Sequence, residues 1–275
     1  MSSSDQLTTT TAPTFPDVLP IDERIPLTEF DDDPVDVVST AIDHGEITLP
    51  ERLVLTLAGE VTPRWAQEHG FQEVYAFETI TMTFPVWVGE HRGAQIALAE
   101  VPMGAAAAVA VADDFFRRGV RAVVTTGSCG ALVPAPAGAF YIPTKALRDE
   151  GASYHYQPAS RWIDLDEDMV QVCVEAVAAA GHPYVLTPVW TTDGLFRETR
   201  GKIAARVAEG CQVVDMECSA LTACARFRGI RFGQIVYTAD SLADEVHDPR
   251  DWGKAFRSLA IDLAADAVAR VPSLT

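Results

Sequence analysis

From residue 52 to the C-terminus, short apolar runs alternate with longer stretches that read as helices. This alternation is the tightest constraint in the chain, because it is the pattern of a sheet whose strands are joined by covering helices. The strand-like runs are Arg52 to Leu57, Phe84 to Val88, Ala94 to Val101, Ala122 to Thr126, Ala139 to Ile142, Tyr184 to Trp190 and Arg231 to Thr238. Helices are expected from Glu60 to about His69, Ala105 to Arg118, Asp166 to Ala180, Glu217 to Phe227 and Trp252 to about Val271. Gly119, Gly181 and Gly229 stop three of them. The pattern has no break, so residues 21–275 are expected to form one α/β domain. Residues 1–20 are rich in Ser, Thr and Pro and are expected to be disordered.

Charge removes several classes of function. The formal net charge is −18, and such a surface repels phosphate backbones and anionic lipid. Neither nucleic acid nor membrane is therefore expected as a partner, although a local pocket can still be positive. The five cysteines, Cys129, Cys173, Cys211, Cys218 and Cys224, lack paired short spacing. They read as reduced, buried thiols rather than disulfides or a zinc site, and no metal is expected. The start, Met1-Ser2-Ser3-Ser4-Asp5, has no basic region followed by an apolar stretch. No uncharged apolar run approaches the ~20 residues needed to cross a bilayer. A cytoplasmic location is the expectation.

Three stretches could carry chemistry. In Val213-Val214-Asp215-Met216-Glu217-Cys218-Ser219, a buried strand runs into an acidic pair and then a helix. That junction puts the Glu217 carboxylate at the rim of a sheet, where ligands of open α/β folds sit. A carboxylate there can accept two hydrogen bonds from a vicinal diol such as that of ribose; a solvated helix N-terminus is the competing reading. Asp240 ends an apolar strand, where desolvation raises a carboxyl pKa and suits a general acid; a turn cap is the alternative. Gly127-Ser128-Cys129-Gly130 follows the strand ending at Thr126. Its glycines allow close approach, and its N–H groups and the Ser128 hydroxyl could line an anion or a sugar. It is neither a Walker loop nor a serine-hydrolase elbow. Phe196 reads as either a stacking platform or core.

Taken in order, these segments resemble the nucleoside phosphorylase/nucleosidase superfamily of purine nucleoside phosphorylase, uridine phosphorylase and methylthioadenosine nucleosidase type. The likeness spans roughly residues 50 to 270. It rests on Val123 to Ala131, Arg148-Asp149-Glu150-Gly151-Ala152-Ser153, Thr192-Asp193-Gly194-Leu195-Phe196, Val214-Asp215-Met216-Glu217 and Thr238-Ala239-Asp240. The resemblance implies a central mixed, partly barrel-like sheet flanked by helices, and cleavage of a nucleoside N-glycosidic bond without metal or organic cofactor. It implies that Glu217 binds ribose above Met216, and that Asp240 protonates a departing purine. It further implies that Phe196 and Gly130 face the base, and that Ser128, with Gly127 and Thr126, faces phosphate or its surrogate. A homo-oligomer is implied as well.

Two departures bear on the nucleophile. The phosphorylases carry an arginine three residues before the serine or threonine of the glycine turn, and here that position is Thr125. The N-terminal phosphate loop is also altered, as Gly59-Glu60-Val61-Thr62-Pro63-Arg64 places its arginine five residues after the glycine rather than four. Each missing charge-assisted hydrogen bond to a dianion forfeits about 1.5–3 kcal/mol. Either Arg64 or a neighbouring subunit's arginine substitutes, giving a phosphorylase, or water is the nucleophile and Glu60 is its base. A nucleoside-binding protein without turnover is a third reading, which the retained Glu217 and Asp240 oppose.

Overall fold

The computed structural model describes residues 25–39 and 47–272. The extension expected at 1–20 lies outside them. Among the described residues, ten strands form one mixed sheet: β1 (Arg52–Thr56), β2 (Gln72–Glu78), β3 (Thr83–His91), β4 (Ala94–Glu100), β5 (Ala122–Ala131), β6 (Phe140–Asp149), β7 (Trp162–Asp164), β8 (Tyr184–Thr192), β9 (Val213–Asp215) and β10 (Arg231–Ser241). Six helices cover it: α1 (Val61–Glu68), α2 (Ala105–Phe116), α3 (Glu167–Ala179), α4 (Arg200–Ala208), α5 (Cys218–Phe227) and α6 (Arg257–Arg270).

The strand order is β10-β6-β8-β9-β5-β1-β4-β3-β2, with β7 beside β6. An additional pairing of β10 with β5 closes β5, β10, β6, β8 and β9 into a ring. This is the barrel-like α/β fold that the sequence leads one to expect. Closure follows from the length of β10: its eleven residues reach β5 along one edge and Phe140-Tyr141 of β6 along the other. Along β5 and β10 the residues Val123, Val124, Phe232, Ile235 and Val236 are fully buried. Each such side chain stabilises the fold by roughly 1.5–3 kcal/mol. A second, smaller apolar cluster of Leu132, Leu147, Trp190, Ile203, Cys211 and Val214 fills the space under α4. All five cysteines are buried and unpaired.

Three differences from the sequence-based expectation matter for the site. First, β5 does not break at Thr126 but runs through the glycines to Ala131, paired with β10 from Val236↔Gly127 to Ser241↔Ala131. Its backbone groups are engaged in sheet pairing, so Gly127 to Gly130 is strand rather than an anion-cradling turn. Second, the ladder shifts register between Thr238 and Asp240, a β-bulge that re-aims the strand end. Third, the expected C-terminal helix begins at Arg257 rather than Trp252. Before it, Arg250, Asp251, Trp252 and Gly253 all take positive φ, which an α-helix cannot absorb.

Candidate active site

The junction of β9 and α5 delivers two buried carboxyls side by side. Asp215 accepts from Thr191 Oγ1 at 2.7 Å, from the Cys218 N–H at 2.9 Å and from Gln234 Nε2 at 3.1 Å. Three donors stabilise its ionised form against the burial that pushes its pKa up. Glu217 accepts from the Gly104 N–H at 2.5 Å through Oε1 and from the Met216 N–H at 3.3 Å through Oε2. Burial, and then the charge of Asp215, push the Glu217 carboxyl well above the usual range. The backbone is held from below, because Glu150 at the end of β6 accepts from Ser219 Oγ at 2.8 Å. Arg148 to Ser153 is therefore a brace for α5.

The bulge in β10 brings Asp240 to the same place. Glu217 and Asp240, 23 positions apart in the chain, line one cavity of about 280 Å³, together with Ser128, Gly130, Met216, Leu195, Glu198, Trp252 and Arg257. Asp240 is largely enclosed, with its side chain 15% exposed. Burial raises its pKa, and the hydrogen bond from His247 opposes that rise. Glu198 is pushed up to about 7 by burial and then by the charge of Asp240. The site thus holds carboxyls that share a cavity yet differ in their readiness to give up a proton, the usual basis for dividing acid and base roles.

The other residues expected at the site fall into three groups. Ser128, Gly130 and Met216 line the cavity with Glu217 and Asp240. A Cβ at Gly130 would lie 2.6 Å from Leu242 Cδ1 and 3.3 Å from Asp240 Oδ1, so this strand position needs glycine for close approach. Gly127 packs instead against Leu57, and the Thr126 hydroxyl is spent on the Ile235 carbonyl at 2.8 Å. Phe196 is 95% exposed and lines a neighbouring cavity of about 750 Å³, which shares Leu195, Glu198, Asp240, Leu242 and Trp252 with the first. The aromatic is thus set one chamber away from Glu217, and Leu195 occupies the nearer wall.

Glu60 is exposed and lines a third cavity, of about 650 Å³, which joins the first at Leu57, Met103 and Arg257. Arg64 does not reach either chamber. Its side chain is 64% exposed and lies 4.0 Å from Glu68, one turn along α1. The buried face of α1 is formed by Thr62, Trp65 and Ala66, and Arg64 lies off it. Thr125, where the phosphorylases have arginine, is buried in β5 with no partner for its hydroxyl.

Sequence reasoning missed Asp215, Glu198, His247 and Arg257. Asp215 and Glu198 each lay within two residues of a chosen position, whereas His247 and Arg257 had no local mark. Among the described residues, no cluster of three or more His, Cys, Asp or Glu could hold a metal ion, and no helix is long and apolar enough to cross a membrane.

Known proteins share this architecture. The fold aligns with a uridine phosphorylase from Vibrio fischeri at a TM-score of 0.71 and 18% identity, over 83% of this chain and 94% of that one. It aligns with a purine nucleoside phosphorylase from Toxoplasma gondii at 0.68 and 16% identity, over 80% and 91%. An AMP nucleosidase from Bacteroides thetaiotaomicron aligns at 0.65 and 21% identity, over 80% and 88%. At these identities the likeness establishes the fold alone. A guanosine phosphorylase from Halorubrum lacusprofundi is 24% identical over 144 residues, which are 52% of this chain and 60% of that relative's length. The model of the phosphorylase superfamily matches residues 52–271, a span that holds the closed ring, Glu217 and Asp240, and the α6 helix. The chain belongs to the phosphorylase superfamily.

Proposed function

We propose that this protein is a nucleoside phosphorylase, cleaving the N-glycosidic bond of a purine-type nucleoside with phosphate to give free base and ribose 1-phosphate. The observation that carries the reading is the meeting of Glu217 and Asp240 on one cavity of about 280 Å³. As the glycosidic bond lengthens, the sugar becomes cationic and the base takes the electron pair. Glu217 would hold the ribose hydroxyls and lie near the positive centre, while Asp240 would pass its proton to the base. The Met216 side chain would underlie the sugar, and Ser128 would face the incoming nucleophile. The reaction so drawn needs neither metal nor organic cofactor. The weakly similar guanosine phosphorylase supports a purine.

Hydrolysis is the second reading, favoured by one observation: Arg64 is turned to solvent and Thr125 replaces the expected arginine. Incubation with guanosine, inosine, adenosine and uridine, each with and without phosphate, separates the two. Phosphorolysis requires base release that follows phosphate and yields ribose 1-phosphate. Release that ignores phosphate removes this reading in favour of the nucleosidase, and a strong preference for uridine removes the purine.

A further inference from the structure

The two chambers on the Glu217 side are both lined by acidic side chains. The smaller one is lined by four acids, Glu198, Asp215, Glu217 and Asp240, and the larger by Glu60 and Glu100. Among the described residues that line either, the sole basic side chain is Arg257, and it lines both. Arg257 opens α6 and stands against the turn after β1. Its Nη1 donates to the Ala58 carbonyl at 3.3 Å, and a Cβ placed on Gly59 would lie 3.7 Å from the same nitrogen. Its charge also acts on the buried Tyr237 hydroxyl, lowering a pKa that burial raises. No carboxylate among the described residues comes within ion-pair distance of it, although Glu100 feels its charge through space.

A guanidinium carries five N–H donors in a planar fork suited to oxyanions. Arg257 commits Nη1 to one neutral oxygen, the Ala58 carbonyl, and keeps its charge without an ion-pair partner at the junction of two chambers. Other arginines of the chain are neutralised at short range, as Arg117 and Arg228 are by Asp113 and Arg118 is by Asp114. A partly enclosed guanidinium without an ion-pair partner, in a cavity otherwise acidic, is the one side chain lining either chamber that can offer a dianion charge-assisted hydrogen bonds.

We propose that Arg257 is the anion-holding residue of this site, binding the tetrahedral oxyanion that attacks the sugar, between the Gly59 turn and Ser128. The assignment rests on the phosphorolytic reading above and deepens it: the charge absent from position 125 and turned outward at position 64 is supplied from the start of the last helix. In the step itself, a phosphate oxygen forms a bond to the anomeric carbon as the carbon–nitrogen bond breaks. The base keeps that electron pair and takes the proton of Asp240. Arg257 transfers nothing; it donates hydrogen bonds throughout.

The experiment is a phosphate titration of wild type, Arg257→Gln and Arg257→Lys at saturating guanosine or inosine, paired with calorimetric titration of inorganic phosphate without nucleoside. The expected result is a rise of at least thirtyfold in the KM for phosphate in Arg257→Gln, and of at least threefold in Arg257→Lys. The KM for nucleoside should stay within threefold of wild type in both, and phosphate binding should weaken in the same order. If Arg257→Gln fails to fold, Arg257→Lys carries the test, because an ammonium keeps the charge but loses the fork. Phosphate-dependent release that is unchanged by both substitutions overturns this inference and leaves phosphorolysis standing. Phosphate-independent release together with Arg257-dependent phosphate binding overturns phosphorolysis and leaves the anion site standing. Failure of wild type to bind phosphate overturns the anion site.

Discussion

His247 Nε2 lies 2.7 Å from Asp240 Oδ2, so an imidazole on the solvent side closes over a carboxyl that is otherwise enclosed. The pair opposes two effects: burial raises the Asp240 pKa, and the His247 hydrogen bond and charge lower it. An acid that must be protonated to act loses activity as pH rises through its pKa. Replacing His247 by Asn removes the lowering influence, so the Asp240 pKa rises further. The alkaline limb of the kcat profile should therefore move to higher pH, with turnover on its plateau within about tenfold of wild type. A limb that stays in place would show that Asp240 is not the titrating acid, or that His247 does not touch it in solution.

Asp240→Asn tests the acid role directly. Asparagine keeps the size and most of the hydrogen-bonding capacity of aspartate but has no proton to give at the moment the base departs. General acid catalysis contributes roughly 10²–10⁴ in rate, so kcat on purine nucleosides should fall by about that factor. Binding should stay within about tenfold, ~1.4 kcal/mol, as judged by the inhibition constant of the free base. Unchanged turnover would contradict the proposed chemistry.

Gly130→Ala probes how tightly the strand and the acid are packed. The added methyl would meet Leu242 Cδ1 at 2.6 Å and Val214 Cγ1 at 3.0 Å, and would crowd Asp240 Oδ1 at 3.3 Å. Val214 sits on β9, paired with Gly130 across the ring, so it has little room to retreat. Overpacking of this kind costs about 1–3 kcal/mol. The expected outcome is a loss of that size in urea denaturation, with a larger proportional loss of kcat because Asp240 is displaced. Full stability with lost activity would confine the strain to the acid.

The fold was legible where sequence separation was short. Apolar runs from Leu53 to Val236 announced most of the ring, and the Asp215-Met216-Glu217 step marked the β9–α5 junction on residues adjacent in the chain. The edge strand β2 was not, because its apolar run is only Val74 to Phe77, flanked by Gln72-Glu73 and Glu78, and none of its residues is buried. The glycine stretch after Thr126 was misread as a turn because glycine is a local punctuation mark, whereas its use here is tertiary: close approach of β5 to β9 and to Leu242. Arg257 was illegible for the same reason. Its bond to the Ala58 carbonyl joins groups 199 positions apart, and nothing in the residues around it foretells which loop the sheet order will set beside it. Arg64 was offered as one substitute beside a neighbouring subunit's arginine, despite its altered spacing, and its side chain lies on the exposed face of α1.

Glu198 gives a prediction whose sign follows from linkage. Its carboxyl is pushed up from an ordinary 4.5 to about 7, chiefly by burial and then by the charge of Asp240. The folded protein therefore holds this proton more tightly than the unfolded chain, and between about 4.5 and 7 it binds more protons. Stability from this group is complete below about 4.5 and is lost as pH rises to about 7. The loss is on the order of 1–3 kcal/mol. Glutamine cannot ionise, so Glu198→Gln should match wild type near pH 4.5 and exceed it near pH 8 by about that amount, read from urea midpoints at both values. Because Asp240 supplies part of the shift, the gain should shrink in an Asp240→Asn background. An equal gain in both backgrounds would mean that burial alone sets the Glu198 proton, and that the two carboxyls do not sense each other across the cavity.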